Sequence, residues 1–237
     1  MKIENLHCHS FDSDLLKSAS VAIDCGANHG DFSQWLSENT SAQIYSFEPD
    51  PRLFSQLPKL DRVEWIQEAI AGKQGEIQLG LGESLCSSLV YRESENQSTT
   101  MVKCNTLENF CRARGIDKID FLKLDIEGAE LEFFEMASPE FLKSIKQITV
   151  EFHDFLNKAD IPRIQAIAKR MQSLGFYFVC FSQYTWGDCL LINTAYVPVH
   201  LSDSIRLNIF YKFFPGIARK VSRLVSRLRF RAGHPKN

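Results

Sequence analysis

Five short apolar runs constrain this fold more than any other feature of the chain: "SVAIDCG" (20–26), "AQIYSFEP" (42–49), "RVEWIQEAI" (62–70), "IDFLKL" (119–124) and "IKQITVEF" (145–152). Each is strand-length and almost continuously apolar, and most are followed by a segment with helical spacing. The helical segments are 31–38, 50–57, 105–115, 129–136 and 161–175. Strands buried on both faces and alternating with helices predict a doubly wound α/β domain with a mostly parallel sheet. The runs at 176–181 and 189–197 predict a closing antiparallel pair. Those at 75–81 and 100–104 predict strands flanking a long polar loop, Gly82 to Thr99. Local signals set several boundaries. Asp50-Pro51 is an N-cap followed by proline at the first helical position, and Thr106 and Gly115 bracket the helix between them.

With 237 residues the chain has room for one sizeable core and an appendage. We divide it into a lead-in (1–19), a main domain (20–198) and a tail (199–237). The net charge of −2 is unevenly spread. From Leu201 to Asn237 nine Lys or Arg face one acid, Asp203, so the tail carries +8 and the rest −10. Seven cysteines, without a CxxC pair and mostly within apolar runs, read as free thiols in a reducing compartment. No apolar leader opens the sequence and no run is long enough to span a bilayer, so the expected location is cytoplasmic. The triplet His7-Cys8-His9 lacks further ligands at zinc-site spacing, and we expect no metal there.

The strand ends carry the chemistry. The first runs into "DCGANHG", an Asp-x-Gly-x-x-x-Gly turn rather than the GxGxxG of dinucleotide dehydrogenases. Gly26 suits a sharp turn with close approach to a ligand, and Gly30 suits a helix starting tightly against the sheet. Glu48 ends the second strand, where an acid commonly binds ribose hydroxyls; the alternative is an exposed strand-end acid before Pro49. Asp24, Glu48, Glu68, Asp125 and the pair Glu151/His153 all fall at or just after strand ends. In a doubly wound sheet that places them on one ligand-binding rim.

The pieces "IDCGANHG", "IYSFEPDP", "EAIAG", "LCSSLV", "VKCNTLENF", "IDFLKLDIEGAE" and "ITVEFHDF", in that order over roughly Ala22 to Phe155, resemble the FkbM family of S-adenosylmethionine-dependent methyltransferases. The resemblance implies a class I methyltransferase fold, Rossmann-like and doubly wound, with a seven-stranded mostly parallel sheet and an antiparallel last strand. It implies S-adenosyl-L-methionine as methyl donor and a hydroxyl acceptor on a sugar, glycan or other small metabolite. By the motifs, Asp24, Gly26, Asn28 and Gly30 would line the methionine side and Glu48 would take the ribose. Glu68 and Ala69 would flank the adenine, and Asp125 would face the reactive end. His29 departs from the pattern, which usually has a small aliphatic residue there.

Methyl transfer to a hydroxyl needs in-line positioning and a group to take the proton. Asp125, Glu127, Glu151 and His153 are the candidates, His153 because an ordinary imidazole titrates near pH ~6.5; a packed, non-catalytic role competes for it. Glu130, near a helix start, reads as support for that helix. A second reading of the carboxylates is a site for a divalent cation such as magnesium. The 82–99 loop, with Ser87 and Ser88, reads as a lid, and its Cys86 as packing. The basic, aromatic stretch 205–231 reads as an amphipathic helix, either docked on the domain or in peripheral contact with an anionic membrane. The acidic body argues against nucleic acid. The competing functions are a nicotinamide-dependent oxidoreductase, disfavoured by the missing GxGxxG, and a non-catalytic nucleoside-binding module.

Overall fold

The computed structural model describes residues 1–16, 20–81, 87–88 and 98–211. Most of the expected lid (82–86 and 89–97) and the tail beyond residue 211 lie outside the described residues. The chain opens with a hairpin, β1 (Ile3–Leu6) and β2 (His9–Asp12). Then come β3 (Val21–Cys25), α1 (Asp31–Asn39), β4 (Gln43–Phe47), α2 (Pro51–Phe54), β5 (Val63–Ile66) and β6 (Ala69–Ile70). Next are β7 (Gly75–Leu81), β8 (Ser87–Ser88), β9 (Ser98–Asn105), α3 (Leu107–Arg114), β10 (Phe121–Leu124), α4 (Glu130–Met136) and α5 (Pro139–Lys143). The remainder is β11 (Gln147–Val150), α6 (Ile161–Ser173), β12 (Phe176–Cys180), β13 (Cys189–Asn193) and α7 (Leu201–Ile205), which continues as a π-helix over Arg206–Tyr211.

Seven strands form the main sheet in the order β12-β13-β11-β10-β3-β4-β5. All neighbours are parallel except β13, which runs antiparallel to both β11 and β12. This is the class I methyltransferase arrangement, with the last strand inserted in reverse. The chain leaves β3 toward β4 on one side and later returns as β10 on the other. The topological switch, where ligands of such sheets bind, therefore lies between the tips of β3 and β10.

Side-chain alternation explains why both faces are covered. Ile23, Cys25, Leu122, Leu124, Ile148 and Val150 point to a core beneath α3, α4 and α6, where Phe110, Phe134, Ile164 and Met171 close it. Ala22, Ile44 and Phe121 point the other way, against Phe32 and Leu36 of α1 and Phe11 of the hairpin. There the Phe32 and Phe121 rings stack with centroids 5.7 Å apart.

Three expectations change. The run 62–70 is not one strand: it breaks at Gln67-Glu68, so β5 stays in the main sheet while β6 joins a second sheet of order β6-β9-β7-β8. The helix expected over 50–57 stops at Phe54, although its Asp50 cap accepts from Arg52 N as the sequence signals. The supposed lead-in is built into the domain. Asp188 accepts from Ser10 N (2.9 Å), Ser10 Oγ (2.8 Å) and Asn5 Nδ2 (3.1 Å), and Gln147 Oε1 accepts from Asp12 N (3.0 Å). After the last strand, Leu207 is buried against Val179, Leu190 and Ile192, so the described start of the tail docks on the sheet. Among the described residues, no helix is long and apolar enough to cross a membrane.

Candidate functional site

The β3 tip turns at Gly26, whose φ of +91° is left-handed. A Cβ added there would lie 1.8 Å from the Asp125 carbonyl oxygen, so only glycine lets the β3 and β10 ends pass this closely. Asn28 also has positive φ (+51°). Its backbone N–H donates to Glu48 Oε2 at 2.7 Å, and Asp50 N–H donates to Glu48 Oε1 at 2.8 Å. Glu48 is 4% exposed. Burial pushes its carboxyl up to about 7, and the two amides only partly offset that.

Beside this turn lies a cleft open to solvent. Six of the expected cofactor residues line it: Gly26, Asn28, Glu48, Glu68, Ala69 and Asp125. Phe47, Leu53, Ile70 and Leu79 supply apolar wall, and Glu127 closes one end. Its mixed polar and apolar lining suits a small-molecule ligand.

Two expected cofactor residues are placed elsewhere. Asp24 is fully buried and does not reach the cavity. Its Oδ1 lies 3.1 Å from Lys123 Nζ, and its Oδ2 accepts from Ser33 Oγ at 2.7 Å. Gly30 precedes α1 at φ +86°, is not on the cavity lining, and a Cβ there would press on Trp65, Leu57 and Pro58 at 3.0–3.3 Å. Lys123, unremarked in the sequence, also donates to Gly26 O (2.8 Å) and lies 3.4 Å from Asp125 Oδ2. Burial works against its charge, but Asp24 and Asp125 overcome that and keep it cationic. A lysine inside an apolar strand was the available signal, because a buried ammonium needs partners.

At the cavity's far end the acids at the tips of β10 and β11 meet. Burial opposes ionisation of Asp125, yet Lys123, His9 and His153 hold it well below the usual carboxylate range. Glu127 sits at φ +52°, so its side chain is presented from a strained turn before Gly128. Glu130 accepts from Ile126 N (2.9 Å) and Gly128 N (3.0 Å), fastening that turn to the start of α4, as expected of a supporting acid. His153 Nε2 lies 3.4 Å from Glu127 and 3.8 Å from Asp125. Its Nδ1 is 3.1 Å from Glu130 Oε1 but off the line of a hydrogen bond, so the contact is an ion pair. Burial lowers the affinity of His153 for a proton, but Glu130, Glu127 and Asp125 outweigh it and raise the imidazole to about 9. An imidazole raised in this way favours its protonated form near neutral pH, which weighs against it as the base. Glu151, half-buried, is pushed by burial and by Asp125 up to about 7. Among the candidates, its carboxylate is the one suited to accept a proton near neutrality.

His9, weighed in the sequence only as part of the His7-Cys8-His9 triplet, is brought to the site by the fold. Wholly buried, its ring sits 3.3 Å (Nε2) from Asp125 Oδ2 and 3.4 Å (Nδ1) from Thr149 Oγ1, edge-on to Phe32. Burial holds its pKa below the ordinary value. A second cavity is lined by Gly128, Glu130, His153, Asp154 and Asn157 among others, and Glu127, next in sequence to Gly128, lines the first.

Residues 24–178 match the family described as "Methyltransferase FkbM domain". The chain belongs to the FkbM methyltransferase family. This FkbM protein is 29% identical over 205 residues to 2-O-methyltransferase NoeI of Sinorhizobium fredii (strain NBRC 101917 / NGR234), covering 76% of this chain and 82% of that one. It is 25% identical over 181 residues to methyltransferase sdnD of Sordaria araneosa, covering 60% and 70% respectively. Among solved structures it is similar to the FkbM methyltransferase of Methylobacillus flagellatus KT, with 14% identity and a TM-score of 0.49. That similarity covers 80% of this chain and 48% of the other, so the chain spans about half the length of that protein. The chain is thus a methyltransferase by family.

Proposed function

We propose that this methyltransferase takes S-adenosyl-L-methionine into the cavity between β3, β4 and β10, and methylates a hydroxyl of a sugar, glycan or other small metabolite. The observation that carries this reading is the placement of Glu48. It follows β4 on the cavity wall, bonded to the turn after Gly26, and shares that wall with Glu68, Ala69 and Asp125. The two backbone amides occupy one acceptor direction on each Glu48 oxygen, which leaves a lone pair on each for a vicinal diol. Phe47, Leu53 and Leu79 offer apolar surface for a purine, and the Gly26–Asn28 backbone can approach a methionyl group closely.

The bound cofactor would supply a methyl group already activated on a sulfonium. The protein's work is then to orient and to move one proton. Asp125, fixed by Lys123 and His9, presents a permanent negative charge at the reactive end. The acceptor would enter through the second cavity, with its hydroxyl directed at the β10–β11 rim. Glu151 would take the proton there, worth about 10²–10⁴-fold in rate, while His153, when protonated, offsets the repulsion between the neighbouring acids.

Calorimetry with S-adenosylmethionine and S-adenosylhomocysteine, with NAD as control, tests the first half. One site for the adenosyl ligands and none for NAD is expected; preference for NAD would refute the reading. Transfer of labelled methyl to a panel of glycosides and hydroxylated metabolites tests the second half.

A further inference from the structure

Two histidines and three acids from distant parts of the chain converge at the rim. We propose that His9 Nε2, Asp125 and Glu151 form a binding site for a divalent metal ion, with Glu127 and His153 beside it. Donor atoms of the three ligands all lie within 4.8 Å of one another, a span one ion can draw together. A second such set, Asp125, Glu127 and His153, shares Asp125 with the first. The ligands come from three elements: His9 from the N-terminal hairpin, Asp125 from the end of β10 and Glu151 from the end of β11. Strand ends and a hydrogen-bonded hairpin give the rigid mounting that a coordination site needs.

Several features set this site apart from a chance acidic cluster. His9 is a wholly buried imidazole pointing Nε2 into the group, while the Thr149 hydroxyl meets its other nitrogen, the outer contact that orients a metal-bound histidine. No hydrogen bond or ion pair reaches the Glu151 carboxylate among the described residues. The His153 side chain is 7% exposed and its Nε2 faces Asp125 and Glu127. Lys123 does not fill the place of the ion. Asp24 and Gly26 O already hold it, and it meets Asp125 at Oδ2, the oxygen that also faces His9 Nε2, with no lysine contact to Oδ1 among the described residues. One imidazole with two carboxylates suits Mn²⁺, Fe²⁺ or Zn²⁺ better than an all-oxygen Mg²⁺ shell.

The site deepens the methyl-transfer reading and rests on it for its use. An ion here would coordinate the acceptor oxygen and acidify its proton; Glu151, the proton acceptor of the metal-free reading, would then serve as ligand and the proton would pass to Glu127 beside it. It also gives the hairpin, outside the family-matched segment, a part in the reaction.

The test uses the full chain, stripped with EDTA and titrated with Mn²⁺ while free Mn²⁺ is followed by electron paramagnetic resonance. One bound Mn²⁺ per chain is expected, with at least tenfold weaker binding in both His9→Ala and Glu151→Gln. The second variant is nearly isosteric, so a folding defect in the first would not decide the matter. Absence of stoichiometric binding by the wild type, or equal binding by both variants, overturns the site. Adenosyl-ligand calorimetry on the metal-free protein separates the two readings. Cofactor binding without Mn²⁺ binding removes the ion alone; Mn²⁺ binding without cofactor binding removes the methyl-transfer reading alone.

Discussion

Asn28 N–H donates to Glu48 Oε2 across 2.7 Å, joining the glycine turn after β3 to the end of β4. The acid meant for the ligand therefore also holds the loop meant for the ligand. Glu48→Ala should lose both, and we expect at least a hundredfold weaker S-adenosylhomocysteine binding by calorimetry; an unchanged Kd would remove Glu48 from the site.

The same residue predicts a pH dependence. Its carboxyl in the free protein titrates at about 7, and two diol hydroxyls need an ionised acceptor. The ionised fraction falls about tenfold from pH 8 to pH 6, so cofactor affinity should weaken by about that factor as pH drops. A Glu48→Gln variant should bind more weakly throughout, with a flat profile over that range.

Gly26→Ala would force a methyl group into the Asp125 carbonyl at a left-handed φ. Strain and overpacking together predict a loss of roughly 2–6 kcal/mol. A thermal midpoint close to wild type would show that the β3 and β10 tips can separate cheaply.

Lys123→Met should be among the costliest changes away from the apolar core. It leaves Asp24, fully buried, without its cation, for which a loss of about 3–5 kcal/mol is typical. Asp24→Asn added to Lys123→Met should recover much of that loss in urea unfolding. Simple addition of the two single losses would mean the pair is not coupled.

Asp188 fastens the N-terminal hairpin through three hydrogen bonds to Ser10 and Asn5. Removing a charged acceptor of this kind costs about 1.5–3 kcal/mol. In Asp188→Ala, hydrogen exchange should quicken over residues 3–12 well before it does in β10 or β11.

How much was legible depended on how far apart the partners lie in the chain. The βα order, the Asp50 and Thr106 caps, the Gly26 turn and Glu48 all follow from local rules: side-chain period, capping chemistry and the special φ of glycine. Most of the strand-end acids could be placed on one rim because strand direction alone fixes which end they occupy. The break at Gln67-Glu68 was not legible, since nothing local marks where a strand changes its pairing partner.

The sequence alone determined a doubly wound sheet, its glycine turn and the acid facing that turn, because these are properties of neighbouring residues. Only the tertiary structure decided that Asp24 serves Lys123 rather than the cavity, that three carboxylates favour the protonated form of His153, and that His9 stands beside Asp125. Those outcomes depend on burial and on charges brought within 3–4 Å across as many as 116 residues of chain. Electrostatic effects of that kind arise from packing and have no period in the sequence.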